Sequence, residues 1–122
     1  MTGAGPGPLA GLSVLIVEDE FLIAVDVQRI VEDAGAGRTV LVNSIADARQ
    51  RLAEATVDLV VLDMRLGEDD GGGLINELRD RDVPFVIASG FAHDIDSPAP
   101  ILVKPYRDAD LLDAVLRSLA KR

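Results

Sequence analysis

The chain has 122 residues, 48% of them apolar, with 21 acidic side chains against 12 basic ones and a net charge of −9; this describes one small acidic domain with apolar residues enough for a core and no room for a second folded unit. No apolar run approaches the ~20 residues of a membrane span, and the acidic balance repels nucleic-acid phosphates, with no basic stripe to offset it. With no cysteine and a single histidine, His93, any metal must be held by oxygen, which favours magnesium or calcium.

Residues 1–10 are rich in glycine and proline without an apolar pattern and read as a flexible tail ahead of a domain over residues 11–122. The start of the chain has no charged region followed by an apolar core, so it is not a secretory signal, and a cytoplasmic location is expected. Val14, Leu15, Ile16 and Val17 form a short apolar run without helical period, the mark of a strand buried on both faces. Glu18, Asp19 and Glu20 follow at once. Residues 21–34 place Leu22, Val25, Ile30 and Val31 at helical spacing, with Gly35 and Gly37 as the stop.

Val40, Leu41 and Val42 make a second strand. Ser44, three residues before Asp47, is a helix N-cap opening a stretch whose apolar side holds Ile45, Ala48 and Leu52. A third strand over residues 57–62 ends on Asp63. A loop of glycine and acid follows; Gly71, Gly72 and Gly73 lack the Lys-Ser/Thr of a phosphate loop. Leu74, Ile75 and Leu78 mark a third helix, Phe85 to Ala88 a fourth strand, and Ile101, Leu102 and Val103 a fifth. The last helix has Asp108 and Asp110 in its opening turn, with Leu111, Leu112, Val115, Leu116 and Leu119 on its apolar side. Arg117, Lys121 and Arg122 at its end complement the helix dipole.

Strands that alternate with helices and read as continuous apolar runs predict a parallel sheet covered on both faces by right-handed crossovers. Ligands of such sheets bind beyond the C-terminal strand ends. The residues leaving the strands there are Glu18, Asp19 and Glu20, then Asn43 and Ser44, then Asp63, then Ser89 and Gly90, and finally Lys104. Carboxylates such as Asp19 and Asp63 held close together repel each other unless a cation lies between them, and magnesium is the natural occupant of an all-oxygen site. A carboxylate beside magnesium is also a nucleophile toward phosphorus. The ammonium of Lys104 and the hydroxyl or amide at Ser89 and Gly90 would neutralise the equatorial oxygens of an incoming phosphoryl group. Of ten arginines and two lysines, one lysine stands at this strand exit, where a compact point charge is wanted.

At these residues the chain resembles the receiver domains of two-component response regulators. The matching text is the apolar strand running into Glu18-Asp19, then Leu62-Asp63-Met64, Ala88-Ser89-Gly90 and Lys104-Pro105-Tyr106, in that order. The resemblance implies an α/β, flavodoxin-like fold, a doubly wound five-stranded parallel sheet of order 2-1-3-4-5. It implies Asp63 as phospho-acceptor and Mg2+ held by Asp19, by Glu18, by Asp63 and by the backbone carbonyl of Arg65. It also implies Ser89, Gly90, Lys104 and Met64 as phosphoryl-binding and switch positions, and a Lys104-Pro105 peptide that is commonly cis in the family.

Two departures modify these expectations. Only 15 residues separate Ser89 from Lys104, and residues 91–100 carry Pro98 and Pro100, so the helix between the fourth and fifth strands is expected to be reduced or missing. The aromatic that many receivers place just before the lysine is replaced by Ile101 and its aliphatic neighbours, leaving Phe91 as the candidate aromatic switch. Pro84-Phe85 leading to Ala88-Ser89-Gly90-Phe91 is similar to a subgroup of often free-standing receivers, the FAT GUY-like group, from which Ile87 and Ser89 depart.

The implied function is phosphorylation on Asp63 by a histidine kinase or phosphotransfer protein, read out by a downstream protein partner, without nucleic acid or membrane. Homodimerisation, and whether the chain is whole or an excised domain, stay open. Two alternatives compete: a receiver-like scaffold that is never phosphorylated, and a small phosphatase with an aspartate nucleophile. The latter wants a second acid two residues after the nucleophile, where Arg65 stands, so the chain is expected to catalyse at most its own phosphorylation and dephosphorylation.

Overall fold

The computed structural model of the chain describes residues 7–63, 71–89, 100–103 and 106–120. Among the described residues are five strands, β1 (Ser13–Val17), β2 (Arg38–Val42), β3 (Leu59–Asp63), β4 (Phe85–Ser89) and β5 (Ile101–Val103), and four helices, α1 (Phe21–Asp33), α2 (Ile45–Glu54), α3 (Gly71–Asp80) and α4 (Asp108–Ala120), in the chain order β1-α1-β2-α2-β3-α3-β4-β5-α4. The strands form one sheet of order β2-β1-β3-β4-β5, parallel throughout, as the apolar runs and the resemblance predict. The expectation of a reduced helix between β4 and β5 falls on residues 90–99, outside the described residues.

Because side chains alternate along a strand, β1, β3 and β4 each feed both layers. Val14 and Ile16 of β1, Leu59 and Val61 of β3, and Val86 and Ala88 of β4 pack with α1 and α4. Leu15 and Val17, Val60 and Leu62, and Phe85 and Ile87 pack with α2 and α3 on the other face. Ser44 caps α2 as expected: its Oγ accepts a hydrogen bond from the N–H of Asp47 at 3.1 Å. Arg29 of α1 donates to Asp26 at 2.9 Å and to Asp108 at the start of α4 at 3.0 Å, tying the two helices together at the surface.

Three expectations are corrected. Leu9 and Ala10 are not part of a flexible tail, because Leu9 is fully buried among α1 and α4 and Ala10 forms an antiparallel bridge with Ala36. The N–H of Leu9 donates to the carbonyl of Ala34 at 2.9 Å, so residues 7–12 are a strap across the end of α1. The buried stripe of α1 is Ala24, Val27, Ile30 and Val31, which leaves Leu22 and Val25 exposed. On α4 the buried positions are Leu111, Ala114, Val115 and Ser118, and Leu116 faces outward.

Candidate functional site

Parallel register decides which side chains meet at the C-terminal edge of the sheet. Val17 of β1 pairs with Leu62 of β3, so Glu18 and Asp63 occupy the next position on adjacent strands. Asp63 pairs with Ala88, and the following residue, Ser89, pairs with Val103 of β5. Residues distant in sequence are thereby brought to one edge by the sheet order alone.

Asp63 is 2% exposed and Glu18 5%, a degree of burial that carboxylates reach only when the fold compensates their charge. Glu18 is fixed from both sides: its N–H donates to the carbonyl of Val42 at 3.0 Å, and its Oε2 accepts from the N–H of Glu20 at 3.2 Å. Asp19 and Glu20 lie exposed beside it. One carboxylate oxygen from each of Glu18, Asp19 and Glu20 lies within 4.8 Å of the others. The donors are all oxygen, on residues that carry negative charge, which suits a hard divalent cation such as Mg2+. Glu20 enters this cluster although the ligand set implied by the resemblance does not include it; its place in the acidic run after β1 was the available signal.

A residue that sequence reasoning did not assign to the site is Tyr106, which follows Lys104-Pro105. It packs against the α1 and α4 layer of the core. Burial, and then the negative charges of Glu18, Asp26, Asp63 and Asp108, push its phenol up to about 12. The field of the acid pocket therefore reaches this side chain. Met64, Arg65, Gly90, Phe91, His93, Lys104 and Pro105 lie outside the described residues, and for Ser89 the structure describes only its place in β4.

The fold and these strand ends together define a flavodoxin-like α/β domain with an acidic pocket at the carboxyl edge of its sheet. The sequence profile of the response regulator receiver domain matches residues 14–116, and the chain belongs to that family. Solved structures agree. A response regulator receiver protein from Sinorhizobium medicae WSM419 is 29% identical, with 90% of this chain and 95% of that one covered and a TM-score of 0.78. SdrG from Sphingomonas melonis Fr1, solved in solution, is 30% identical over 90% of this chain and 97% of its own, with a TM-score of 0.68. A CheY-like receiver domain from Methylobacillus flagellatus is 28% identical over 90% and 99%, with a TM-score of 0.75. No curated protein matches the chain. Among the described residues no helix is long and apolar enough to cross a membrane.

Proposed function

We propose that this receiver domain accepts a phosphoryl group on Asp63 from a phosphohistidine of a histidine kinase or phosphotransfer protein, with Mg2+ present, and signals through altered binding to another protein. The observation that carries this reading is the buried carboxylate of Asp63 at a strand end beside the carboxylate cluster of Glu18, Asp19 and Glu20, in a chain of this family. A rigid strand end holds the nucleophilic oxygen in a fixed position, which removes part of the entropic cost of attack on phosphorus.

Glu18, Asp19 and Asp63 would hold the cation, together with the Arg65 carbonyl that the resemblance assigns. Bound there, Mg2+ would supply positive charge against the equatorial oxygens of the phosphoryl group. Ser89 ends the neighbouring strand, where a hydroxyl serves an added phosphoryl group, and Lys104 is assigned by the resemblance as its ion-pair partner. The chain's chemistry goes no further than its own phosphorylation and dephosphorylation.

The test is intact-mass spectrometry after incubation with acetyl phosphate and Mg2+, wild type beside Asp63→Asn. The expected result is a Mg2+-dependent gain of one phosphoryl group, absent from the variant. A gain that persists in Asp63→Asn would misplace the acceptor. No gain, together with no Mg2+ binding, would favour an unphosphorylated scaffold.

A further inference from the structure

The two edges of the sheet differ. β5 is three residues long, and a short edge strand is a poor template for pairing with another chain. β2 has five residues, Arg-Thr-Val-Leu-Val, β-branched at Thr39, Val40 and Val42 and without the proline or lysine that blunts an edge.

The ladder with β1 decides which backbone groups of β2 point outward. Val42 is level with Val17, and Arg38 with Ser13. The carbonyl of Val42 accepts from the N–H of Glu18 at 3.0 Å, and the N–H of Arg38 donates to the carbonyl of Leu12 at 3.3 Å. In a parallel pair this inward bonding falls on every second residue, so Arg38, Val40 and Val42 bond to β1 while Thr39 and Leu41 turn their N–H and C=O groups away from it. Among the described residues no strand lies beyond β2 to pair with them.

The side chains at this edge are half-buried, Val40 against the α2 layer and Leu41 against the α1 layer. On the α2 side a groove of about 270 Å³ is lined by Arg38, Val40, Arg51 and Glu54, and Asp47 lies further along, near Val42. Two guanidiniums and two carboxylates leave this face balanced, in a chain whose net charge is −9.

We propose that β2 pairs antiparallel with β2 of a second copy of this chain, joining the two sheets edge to edge. About a twofold axis at Val40, Thr39 of each copy faces Leu41 of the other, and each such pair exchanges both of its N–H to C=O hydrogen bonds, which satisfies every outward group of the strand. Val40 meets Val40 of the second copy as a β-branched cross-strand pair. Arg38 comes level with Val42 of the second copy, and so stands between Glu54 of its own copy and Asp47 of the other. Opposite charges therefore meet at both ends of the interface, which is what selects a second copy over an unrelated extended segment that offers backbone bonds alone. The proposal is independent of the phosphorylation reading, and its test uses no phosphoryl donor.

The experiment follows the full chain by sedimentation equilibrium from about 10 μM to about 1 mM, with amide hydrogen exchange read by NMR at both ends of that range. A dimer is expected at the upper end, where the amides of Thr39 and Leu41 should exchange at least about tenfold more slowly than at the lower end. The amide of Val40, already bonded to β1, should be slow at both. Arg38→Glu and Asp47→Lys should each weaken the dimer at least about tenfold, ~1.4 kcal/mol. Combining the two exchanges the charges and should restore association, a recovery that a folding defect in either single variant would not produce.

A dimer that leaves Thr39 and Leu41 unprotected would place the contact elsewhere and overturn the proposal. So would a double variant no tighter than the single ones. A chain that stays monomeric across the range would overturn it as well, leaving the edge to an extended segment of another protein.

Discussion

Glu18 and Asp63 stand one residue beyond the parallel pair Val17 and Leu62, and both are buried. Two carboxylates on adjacent strand ends disfavour each other's charged form unless a cation relieves the repulsion. Asp19→Asn removes one anionic oxygen donor from the cluster. It should lower Mg2+ affinity at least about tenfold, ~1.4 kcal/mol, in an NMR titration followed at the amides of residues 17–20. Unchanged affinity would place the cation elsewhere.

Much of this edge was legible in the text of the chain, for a physical reason. A parallel sheet buried on both faces writes its strands as unbroken apolar runs, and the residue after each run is then a candidate for the ligand edge, which singles out Glu18 and Asp63. Ser44 and Asp47 were legible as a cap because that contact is local, and Gly35 as a helix stop because it adopts a φ of +104°. Leu9 was not legible: a lone leucine among glycine and proline has no period from which burial can be read. Leu22 and Val25 misled because helical spacing identifies a stripe without saying which of two neighbouring stripes meets the sheet. The coupling of Tyr106 to the acid pocket depends on distances between elements far apart in sequence, which spacing does not contain.

The strap over residues 7–12 contributes to stability. Leu9 is fully buried between α1 and α4, so Leu9→Ala should destabilise the domain by about 2–4 kcal/mol, the usual cost of emptying a core site, read as a lowered urea midpoint with an unchanged slope. Gly35→Ala should destabilise as well, because its φ is strained for any side chain and its new Cβ would lie 2.9 Å from the backbone nitrogen of Gly7. A midpoint unmoved in both variants would mean that the strap is not fastened in solution.

The cap of α2 gives a smaller effect of known sign. Ser44→Ala removes the acceptor for the N–H of Asp47 and should cost about 1 kcal/mol. Ser44→Asn retains a side-chain oxygen at the cap and should restore most of the loss. A urea midpoint for Ser44→Ala equal to that of wild type would show that water replaces the cap at no cost.

Tyr106 supplies the pH dependence. It is the chain's only tyrosine and there is no tryptophan, so tyrosinate absorbance reports this one group. Burial first, then the charges of Glu18, Asp26, Asp63 and Asp108, raise it from 10.0 to about 12. Below pH 10 the phenol is protonated in both the folded and unfolded chains, and its contribution to stability is fully present. As pH rises from 10 toward 12 the unfolded tyrosine ionises while the folded one resists, so that contribution is lost across this window. The alkaline absorbance midpoint should therefore lie near 12, and Glu18→Gln, by removing one of the charges, should bring it down. Lysine titrates in the same range, so the comparison that isolates the effect is Tyr106→Phe, whose stability should decline less steeply between pH 10 and 12. A wild-type midpoint near 10 would mean that the phenol is neither buried nor within the field of the acid pocket.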